Sequence, residues 1–263
     1  MLRLNNFKEE YMINVNLQPD ERLDEINENL SLIQKKDGLT FGTDAFLLAA
    51  FMKSRVKTAA DFGSGTGVAS LLCLSKNKAD KFYDFEVQEK FAHLTERNAA
   101  LNNFSDKVTV ICKDIRNVTP DDTEGWIDTV ISNPPYLKAT EGFANKTDEM
   151  NIARREMNGT IYDFCAAANR VLRHGGLFYT VYRPDRLAEL IHALKENTLE
   201  PKRIVTVYPD TKSKPSLVLI ESKKGAAPSV KLSRPLFTYK DGTRDYTEDM
   251  DLVYETSSLD FLF

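Results

Sequence analysis

Three alternating glycines between a predicted strand and a predicted helix constrain this chain more than any other feature. Residues 58–62 read TAADF, a short buried strand, and residues 61–67 read DFGSGTG. An apolar helix is predicted from Val68 onwards. Glycines in such a turn permit a tight backbone path and let a ligand approach the N-terminus of the helix. We therefore expect a strand–turn–helix unit that binds a cofactor.

The alternation of strands and helices continues along the chain. Further strands are predicted at residues 81–87, 108–112, 126–132, 177–182, 203–209 and 216–222, with apolar helices between most of them. The last two strands have no helix between them, which indicates an antiparallel pair at one edge. The prediction is an α/β fold with a mostly parallel seven-stranded sheet, an antiparallel edge strand and helices on both faces.

The segments that flank this pattern are less regular. Residues 30–33 and 39–41 predict a short hairpin, and Thr43 or Asp44 is expected to N-cap the apolar helix that follows. We predict an N-terminal arm (1–29), a main domain that includes the hairpin (30–224) and a C-terminal extension (225–263).

Composition excludes several classes of protein. No apolar run approaches the roughly 18 residues that span a bilayer, so no membrane partner is expected. Cys73, Cys112 and Cys165 are far apart in apolar stretches, and the histidines show no metal spacing. We predict buried free thiols, no metal, a cytoplasmic location and a monomer.

Carboxylates follow two of the predicted strands. Glu86 ends the strand after the glycine-rich turn, where an acid can accept both ribose hydroxyls of a nucleoside. Asp114 follows the next strand, where a carboxylate can accept a hydrogen bond from an adenine amine or can N-cap a helix. The G-x-G-x-x-G pattern of dinucleotide sites fails at Val68, which favours a cofactor without a pyrophosphate.

A second motif, Ser132-Asn133-Pro134-Pro135-Tyr136, follows the strand at residues 126–132. Two prolines stiffen the backbone, so the Asn133 side-chain oxygen and the Pro134 carbonyl can both accept hydrogen bonds from one planar NH2 group. Tyr136 can stack on the flat group that carries this amine. Such acceptors stabilise the charge that builds on nitrogen as a methyl group arrives. A proline-rich turn that only caps the strand is the alternative.

Together, DFGSGTG, Glu86, Asp114 and NPPY resemble the class I S-adenosylmethionine-dependent methyltransferases that act on exocyclic or amide amines, over roughly residues 30–224. Within this class the chain is similar to the bacterial tRNA1(Val) (adenine-N6)-methyltransferases, through FGTDA at residues 41–45, NPPY, and KPSLVLIESKKG at residues 214–225. The resemblance implies a Rossmann-like class I methyltransferase fold, S-adenosylmethionine as cofactor, and methylation of an adenine N6 in the anticodon loop of a tRNA.

The resemblance also implies roles for individual residues. The cofactor site would comprise Phe41, Gly42, Thr43, Asp44, Asp61, Gly63, Gly65, Gly67, Glu86, Val87, Asp114, Ile115 and Asn133. The catalytic residues that hold the target base would be Asn133, Pro134 and Tyr136.

Basic residues predict where the RNA would bind, although the net charge of the chain is −4. Residues 200–240 carry nine Lys or Arg against three acidic residues, and a local basic face can bind phosphates whatever the overall charge. The candidates for RNA contact are Lys146, Arg154, Arg155, Lys212 and Lys214. Ordinary solvated surface charge explains the same residues equally well.

The residues leave other functions open. A glutamine amide in a protein and an exocyclic amine in ribosomal RNA or DNA are also planar NH2 groups that NPPY can hold. An NAD-dependent oxidoreductase is disfavoured by the failed dinucleotide pattern. A non-catalytic nucleotide-binding module is disfavoured by the intact NPPY motif.

Overall fold

The computed structural model describes residues 16–36, 42–53, 55–135 and 159–263. The strands are β1 (Glu21–Asn27), β2 (Leu30–Lys35), β3 (Val56–Phe62), β4 (Ala79–Glu86), β5 (Val108–Cys112), β6 (Ile127–Ser132), β7 (Leu172–Tyr182), β8 (Leu199–Tyr208), β9 (Leu217–Lys224), β10 (Lys231–Leu232) and β11 (Leu236–Phe237). The helices are α1 (Thr43–Phe51), α2 (Val68–Ser75), α3 (Glu89–Leu101), α4 (Ile161–Val171), α5 (Leu187–Glu196) and α6 (Glu248–Thr256).

In the described part of the chain, nine strands form the central sheet, in the order β10, β8, β9, β7, β6, β3, β4 and β5, with β11 also beside β8. The prediction of seven strands is therefore wrong. The seven predicted strands are present as β3 to β9, and β10 and β11 add two strands of two residues each. Such short strands have no alternation of apolar and polar residues that a sequence pattern can reveal.

The antiparallel strand of the sheet is β9, which pairs with β7 on one side and with β8 on the other. The predicted antiparallel pairing of the last two predicted strands is confirmed by β8 and β9, but the antiparallel strand β9 is not the edge strand, because it lies between β7 and β8. Strand β8 consequently runs parallel to β7, as do β6, β3, β4 and β5. The C-terminal ends of all these strands therefore lie at one edge of the sheet, which we call the C-terminal edge.

Two apolar cores cover the two faces of the sheet. Neighbouring residues on a strand point to opposite faces, and in β3 Ala59 packs into one core while Ala60 packs into the other. The first core holds apolar side chains of α1, α2 and α6, and the second holds those of α4 and α5. The prediction of helices on both faces is confirmed.

Strands β1 and β2 form a separate antiparallel hairpin beside this sheet. Within the described residues the partner of β2 is β1, which lies in the predicted N-terminal arm, whereas the sequence predicted a hairpin of residues 30–33 with residues 39–41. The sequence of β1, ERLDEIN, has apolar residues only at Leu23 and Ile26, so its pattern gave no strand signal. Residues 39–41 themselves lie outside the described residues.

Helix α1 begins differently from the prediction. Its N-cap is Gly42, which makes no side-chain cap hydrogen bond, and Thr43 is already the first helical residue. The expectation that Thr43 or Asp44 caps this helix is therefore wrong. Glycine is an acceptable N-cap because it leaves the first amide groups of the helix accessible to other acceptors.

The predicted C-terminal extension packs on the sheet. Helix α6 buries Met250 and Val253 in the first core. The guanidinium of Arg203 in β8 lies 4.1 Å from the ring centre of Phe263 and donates a hydrogen bond of 2.6 Å to Asp260. The three domain boundaries remain a prediction.

Three expectations drawn from composition concern the cysteines, membrane-spanning helices and metal sites. Cys73 and Cys165 are buried, whereas Cys112 is exposed at the end of β5, so the prediction of three buried thiols is wrong for Cys112. Within the described ranges, no helix is both long and apolar enough to cross a membrane. In the same ranges, no group of three or more His, Cys, Asp or Glu side chains has the arrangement of a metal site.

Candidate active site

A cleft opens at the C-terminal edge of the sheet, where β3, β4, β5 and β6 end. Its lining includes seven of the residues predicted to bind the cofactor: Gly63, Gly65, Glu86, Val87, Asp114, Ile115 and Asn133. These residues come from four segments of the chain that follow four different strands. The parallel sheet brings the segments together because the carboxyl ends of its strands share one edge.

The glycine-rich turn has backbone angles that favour glycine at three positions. The φ angles of Gly63, Gly65 and Gly67 are 74°, 59° and 78°. A Cβ atom at Gly65 would meet no atom within 4 Å, so this backbone faces open space that a ligand can use. A Cβ atom at Gly67 would lie 2.7 Å from the Thr95 methyl group, so Gly67 also allows α3 to approach the turn closely.

The carboxylate of Glu86 is fixed in the wall of the cleft. It accepts a hydrogen bond of 3.0 Å from the Gly65 amide and one of 2.8 Å from the Gln88 amide. Burial raises the pKa of this carboxyl, and the backbone hydrogen bonds act in the opposite direction. The next residue, Val87, is 38% exposed, although it is a large apolar side chain. Glu86 and Val87 thus offer an acceptor and an apolar surface side by side.

Asp114 has its carboxylate oriented by its own neighbours. It N-caps the 3-10 turn Ile115–Asn117 by accepting a hydrogen bond from the Arg116 amide, and the Arg116 guanidinium contacts both carboxylate oxygens. The hydrogen bonds from Arg116 lower the pKa of the Asp114 carboxyl. The capping role that the sequence allowed is therefore present, and the role as an adenine acceptor stays a prediction.

The start of the NPPY motif is held by the neighbouring strand. The Ser132 hydroxyl donates a hydrogen bond of 2.8 Å to the carbonyl of Phe62, which is its register partner on β3. Asn133 is half-buried and lines the cleft together with Pro135, whereas Pro134 is buried. This arrangement places the amide side chain of Asn133 in the same cleft as Glu86.

Several predicted site residues do not line the cleft. Asp61 is buried beneath the glycine-rich turn, and Gly67, Gly42, Thr43 and Asp44 are not part of the cleft wall. Phe41, Tyr136, Lys146, Arg154 and Arg155 lie outside the described residues.

The cleft also contains Pro135 of the NPPY motif, to which the sequence gave no separate role, and four residues that the sequence did not indicate: Phe85, Gln88, Lys113 and Phe164. Gln88 and Lys113 are close in sequence to the predicted acids, so extending those motifs by one or two positions would have found them. Phe164 lies on the apolar face of α4, and its ring comes within 3.6 Å of the position of a Gly63 Cβ atom. Nothing in its sequence context separates Phe164 from an ordinary core residue.

The two basic residues predicted in the β8–β9 turn, Lys212 and Lys214, are exposed. Because β8 runs parallel to β7, this turn lies at the same C-terminal edge as the cleft. Lys223 and Lys224 lie at the other end of β9, and Lys224 donates a hydrogen bond of 2.7 Å to the carbonyl of Leu172. The basic segment at residues 200–240 is therefore split between opposite edges and does not form one face.

The sheet order, the glycine-rich turn and the carboxylate at the end of the next strand are those of Rossmann-like proteins, a class that binds nucleoside-containing cofactors at this edge of the sheet. Sequence comparison then identifies the family. The chain matches the methyltransferase small domain over residues 33–198 and belongs to that family. The prediction that the protein is a methyltransferase is confirmed.

Relatives and solved structures agree with this assignment. Two proteins named tRNA1(Val) (adenine(37)-N6)-methyltransferase are similar in sequence. One, from a Flavobacteriaceae bacterium, is 23% identical over 82% of this chain and 89% of the relative. The other, from Bacteroides fragilis, is 26% identical over 70% of this chain and 77% of the relative.

A predicted O-methyltransferase from Agrobacterium tumefaciens superposes with a TM-score of 0.66 at 22% identity, covering 82% of this chain and 97% of the other. A tRNA m1G37 methyltransferase from M. jannaschii superposes with a TM-score of 0.52 at 16% identity, covering 81% and 57%. At these identities the solved structures show the fold alone, and the predicted class I methyltransferase fold is confirmed apart from its strand count and the position of β9.

Proposed function

We propose that this protein transfers a methyl group from S-adenosylmethionine to the N6 of an adenine in tRNA. The observation that carries the proposal is that Asn133 of the NPPY motif lines the same cleft as Glu86 and the glycine-rich turn. An amine held by Asn133 would therefore lie beside a nucleoside held by Glu86. The names of the Flavobacteriaceae and Bacteroides fragilis relatives support tRNA as the substrate.

The cleft residues fit S-adenosylmethionine in their hydrogen-bonding and apolar character. Glu86 offers a carboxylate to the ribose hydroxyls, and Val87 and Ile115 offer apolar surface to the adenine ring. The open space over Gly65 lets the rest of the cofactor pass close to the backbone. S-adenosylmethionine would supply an electrophilic methyl group to the amine nitrogen, leaving S-adenosylhomocysteine, and the proton released from the methylated nitrogen would pass to water.

The roles of the NPPY residues follow from the chemistry of the amine. The Asn133 side-chain oxygen and the Pro134 carbonyl would accept the two N–H groups of the adenine amine and direct its nitrogen towards the cofactor. Acceptors carried by the stiff Asn-Pro-Pro backbone would stabilise the positive charge that builds on this nitrogen. We assign the stacking of the target base to Tyr136.

Contacts with the RNA outside the cleft are assigned to basic residues. Lys212 and Lys214 lie three strands away from β6 along the C-terminal edge, which is about 15 Å at the usual strand spacing. This distance suits phosphates that flank a base inserted into the cleft. Lys146, Arg154 and Arg155 are further candidates for RNA contact. We also propose that the substrate is tRNA in the cytoplasm.

The experiment that tests the proposal is methyl transfer from labelled S-adenosylmethionine to three substrates in parallel: bulk tRNA, ribosomal RNA and a protein with an accessible glutamine. The proposal predicts label in tRNA alone, recovered as N6-methyladenosine after nucleoside analysis. Label in ribosomal RNA or in glutamine, with none in tRNA, would contradict the proposed substrate. Bound S-adenosylhomocysteine without transfer to any of the three would contradict the proposed reaction.

A further inference from the structure

Helix α3 carries a stripe of polar side chains on the face that it buries. Thr95 and Asn98 of α3 and its C-cap residue Asn102 are spaced by three and four residues, which places them on one side of the helix. Thr95 and Asn98 are completely buried and Asn102 is partly buried. Buried polar side chains are costly unless they are hydrogen-bonded, so the partners of this stripe indicate what it does.

At one end, the stripe holds the glycine-rich turn of the cofactor site. The Thr95 hydroxyl donates a hydrogen bond of 2.9 Å to the carbonyl of Gly65. The side-chain nitrogen of Asn98 donates a hydrogen bond of 2.9 Å to the carbonyl of Thr66. Two successive carbonyls of the turn are therefore fixed by α3, which limits the rotation of the peptide planes beside the cleft.

At the other end, the stripe holds strand β2 of the N-terminal hairpin. The Asn98 side-chain oxygen accepts the Ile33 amide at 2.7 Å, and its nitrogen donates to the Ile33 carbonyl at 3.2 Å. Asn102 does the same with Ser31, at 3.0 Å and 2.7 Å. Backbone groups two residues apart on a strand point to the same edge of that strand. The side-chain amides of Asn98 and Asn102 therefore take the place of a neighbouring strand along the edge of β2 that does not face β1.

A charged contact fixes the other strand of the hairpin. The Arg97 guanidinium bonds both carboxylate oxygens of Glu21 in β1, at 2.7 Å and 2.9 Å. Glu21 is 4% exposed, and the hydrogen bonds from Arg97 lower the pKa of its carboxyl to about 2. Hairpin and helix are thus joined along both strands.

We propose that Asn98 is a positioning residue of the cofactor site, which joins the hairpin to the glycine-rich turn. One amide group bonds both Ile33 and Thr66, so the arrangement of the turn depends on the docked hairpin. The coupling is reciprocal by thermodynamic necessity, and a cofactor that fixes the turn also stabilises the docked hairpin. The inference rests on the proposed binding of S-adenosylmethionine, and its tests use S-adenosylhomocysteine as the bound probe.

The first test compares Asn98→Ala with Asn102→Ala by calorimetric titration with S-adenosylhomocysteine. Each variant loses two hydrogen bonds to β2, those to Ile33 in Asn98→Ala and those to Ser31 in Asn102→Ala. Asn98→Ala also loses the bond to Thr66, whereas Asn102→Ala loses instead a bond to the Asn98 carbonyl within α3. We expect Asn98→Ala to raise the Kd about tenfold, which is the effect of about one hydrogen bond. We expect Asn102→Ala to stay within about twofold of the wild type. Equal losses in both variants, or none in Asn98→Ala, would overturn the inference.

The second test measures hydrogen exchange of the hairpin amides with and without S-adenosylhomocysteine. If Asn98 had a purely structural role, its replacement would speed hydrogen exchange of the hairpin amides, but S-adenosylhomocysteine would not change the exchange rates of those amides in any variant. We expect the ligand to slow exchange at Ile33 in the wild type and in Asn102→Ala, and to have no such effect in Asn98→Ala. No protection of Ile33 in the wild type would also overturn the inference.

A second pair of variants keeps the inference testable if Asn98→Ala does not fold. Thr95→Val removes the hydroxyl that holds Gly65, and Thr95→Ser retains it. The hydrogen bonds described for this hydroxyl go to Gly65 and Phe91 and not to the hairpin. We expect Thr95→Val to raise the Kd for S-adenosylhomocysteine about threefold and Thr95→Ser to keep it near the wild-type value. An unchanged Kd in Thr95→Val would overturn the inference that α3 supports cofactor binding by holding the carbonyls of the turn. A wild type that binds no S-adenosylhomocysteine would overturn the proposed function as well, so the two failures are distinguishable.

Discussion

Asp84 lies directly opposite Asp61 on the neighbouring parallel strand, and both carboxyl groups are buried beneath the glycine-rich turn. The Ser70 hydroxyl donates a hydrogen bond of 2.5 Å to Asp84. Burial raises the pKa of the Asp84 carboxyl to about 7, and burial together with the charge of Asp84 raises the pKa of Asp61 well above its usual value. The folded protein therefore retains protons on this pair that the unfolded chain releases at lower pH.

This acid pair predicts a pH dependence of the free energy of unfolding. Because the folded-state pKa values exceed the unfolded ones, the stabilisation is fully present below about pH 4 and is lost as the pH rises through about 7, at no more than about 1.4 kcal/mol per pH unit for one proton. Asp84→Asn keeps an acceptor for Ser70 and removes one titrating group. Urea unfolding at pH 5 and pH 7.5 should show a smaller difference for Asp84→Asn than for the wild type. An unchanged difference would show that the pair does not share a retained proton.

Glu86→Ala should weaken cofactor binding. The substitution removes the proposed acceptor for the ribose hydroxyls and also releases the Gly65 amide from its 3.0 Å hydrogen bond. A hydrogen bond to a charged group contributes about 1.5–3 kcal/mol, so the Kd for S-adenosylhomocysteine should rise at least about tenfold. Glu89→Ala is the matched control, because Glu89 is an exposed acid in the first turn of α3. Equal Kd values for the two variants would remove Glu86 from the cofactor site.

Lys78→Met should destabilise the fold. The buried ammonium of Lys78 donates hydrogen bonds to three carbonyls at the end of α1, those of Ala49, Ala50 and Met52, at 2.7 Å, 3.0 Å and 2.7 Å. Methionine has a similar volume but no donor, so these carbonyls lose a partner. We expect the free energy of unfolding to fall by about 2–4 kcal/mol. Lys76→Met, at an exposed position two residues earlier, should change it by less than about 0.5 kcal/mol, and similar losses in both variants would contradict this role.

Replacing Lys212 and Lys214 by glutamine should reduce the salt dependence of tRNA binding. Each phosphate contact contributes about 0.7–0.9 to the slope of log K against log salt, so the slope should fall by roughly 1.5. The control replaces Lys223 and Lys231, which are exposed and lie towards the opposite edge of the sheet. The control has the same change in charge and should leave the slope unchanged. Equal effects of the two pairs would show that the C-terminal edge is not the RNA-binding edge.

The sequence predicted the parts of the fold that carry a strong local pattern. Strands β3 to β9 each have an apolar run bounded by turn residues, and the glycines and Glu86 occupy fixed places relative to those strands. Strand β1 was not predicted because its sequence is almost entirely polar. It is held in place by hydrogen bonds and by the Arg97–Glu21 contact, which a hydrophobic pattern does not reveal. The position of β9 between β7 and β8 was not predicted, because the order of strands in a sheet depends on tertiary pairing and not on a local sequence pattern.

The same distinction applies to the candidate site. The glycine-rich turn, the residues at the two strand-end acids and Asn133 of NPPY were predicted from local motifs, and seven of the predicted cofactor residues line the cleft. Phe164 was missed because it reaches the cleft from a different helix and has the character of a core residue. Asn98 was missed because an asparagine on a helix normally faces solvent, and only the tertiary structure turns it towards β2 and the glycine-rich turn.

The most direct test of the account is the effect of Asn133→Ala on tRNA methylation, measured together with cofactor affinity. The variant should lose most of its turnover, by about a hundredfold or more, while the Kd for S-adenosylhomocysteine stays within a few-fold of the wild type, because Asn133 is assigned to the amine of the target base. Asn117→Ala, at an exposed position outside the cleft, should retain both. Formation of N6-methyladenosine in tRNA by the wild type but not by Asn133→Ala is the predicted result. Undiminished methylation by Asn133→Ala, or loss of its cofactor binding instead, would contradict the account.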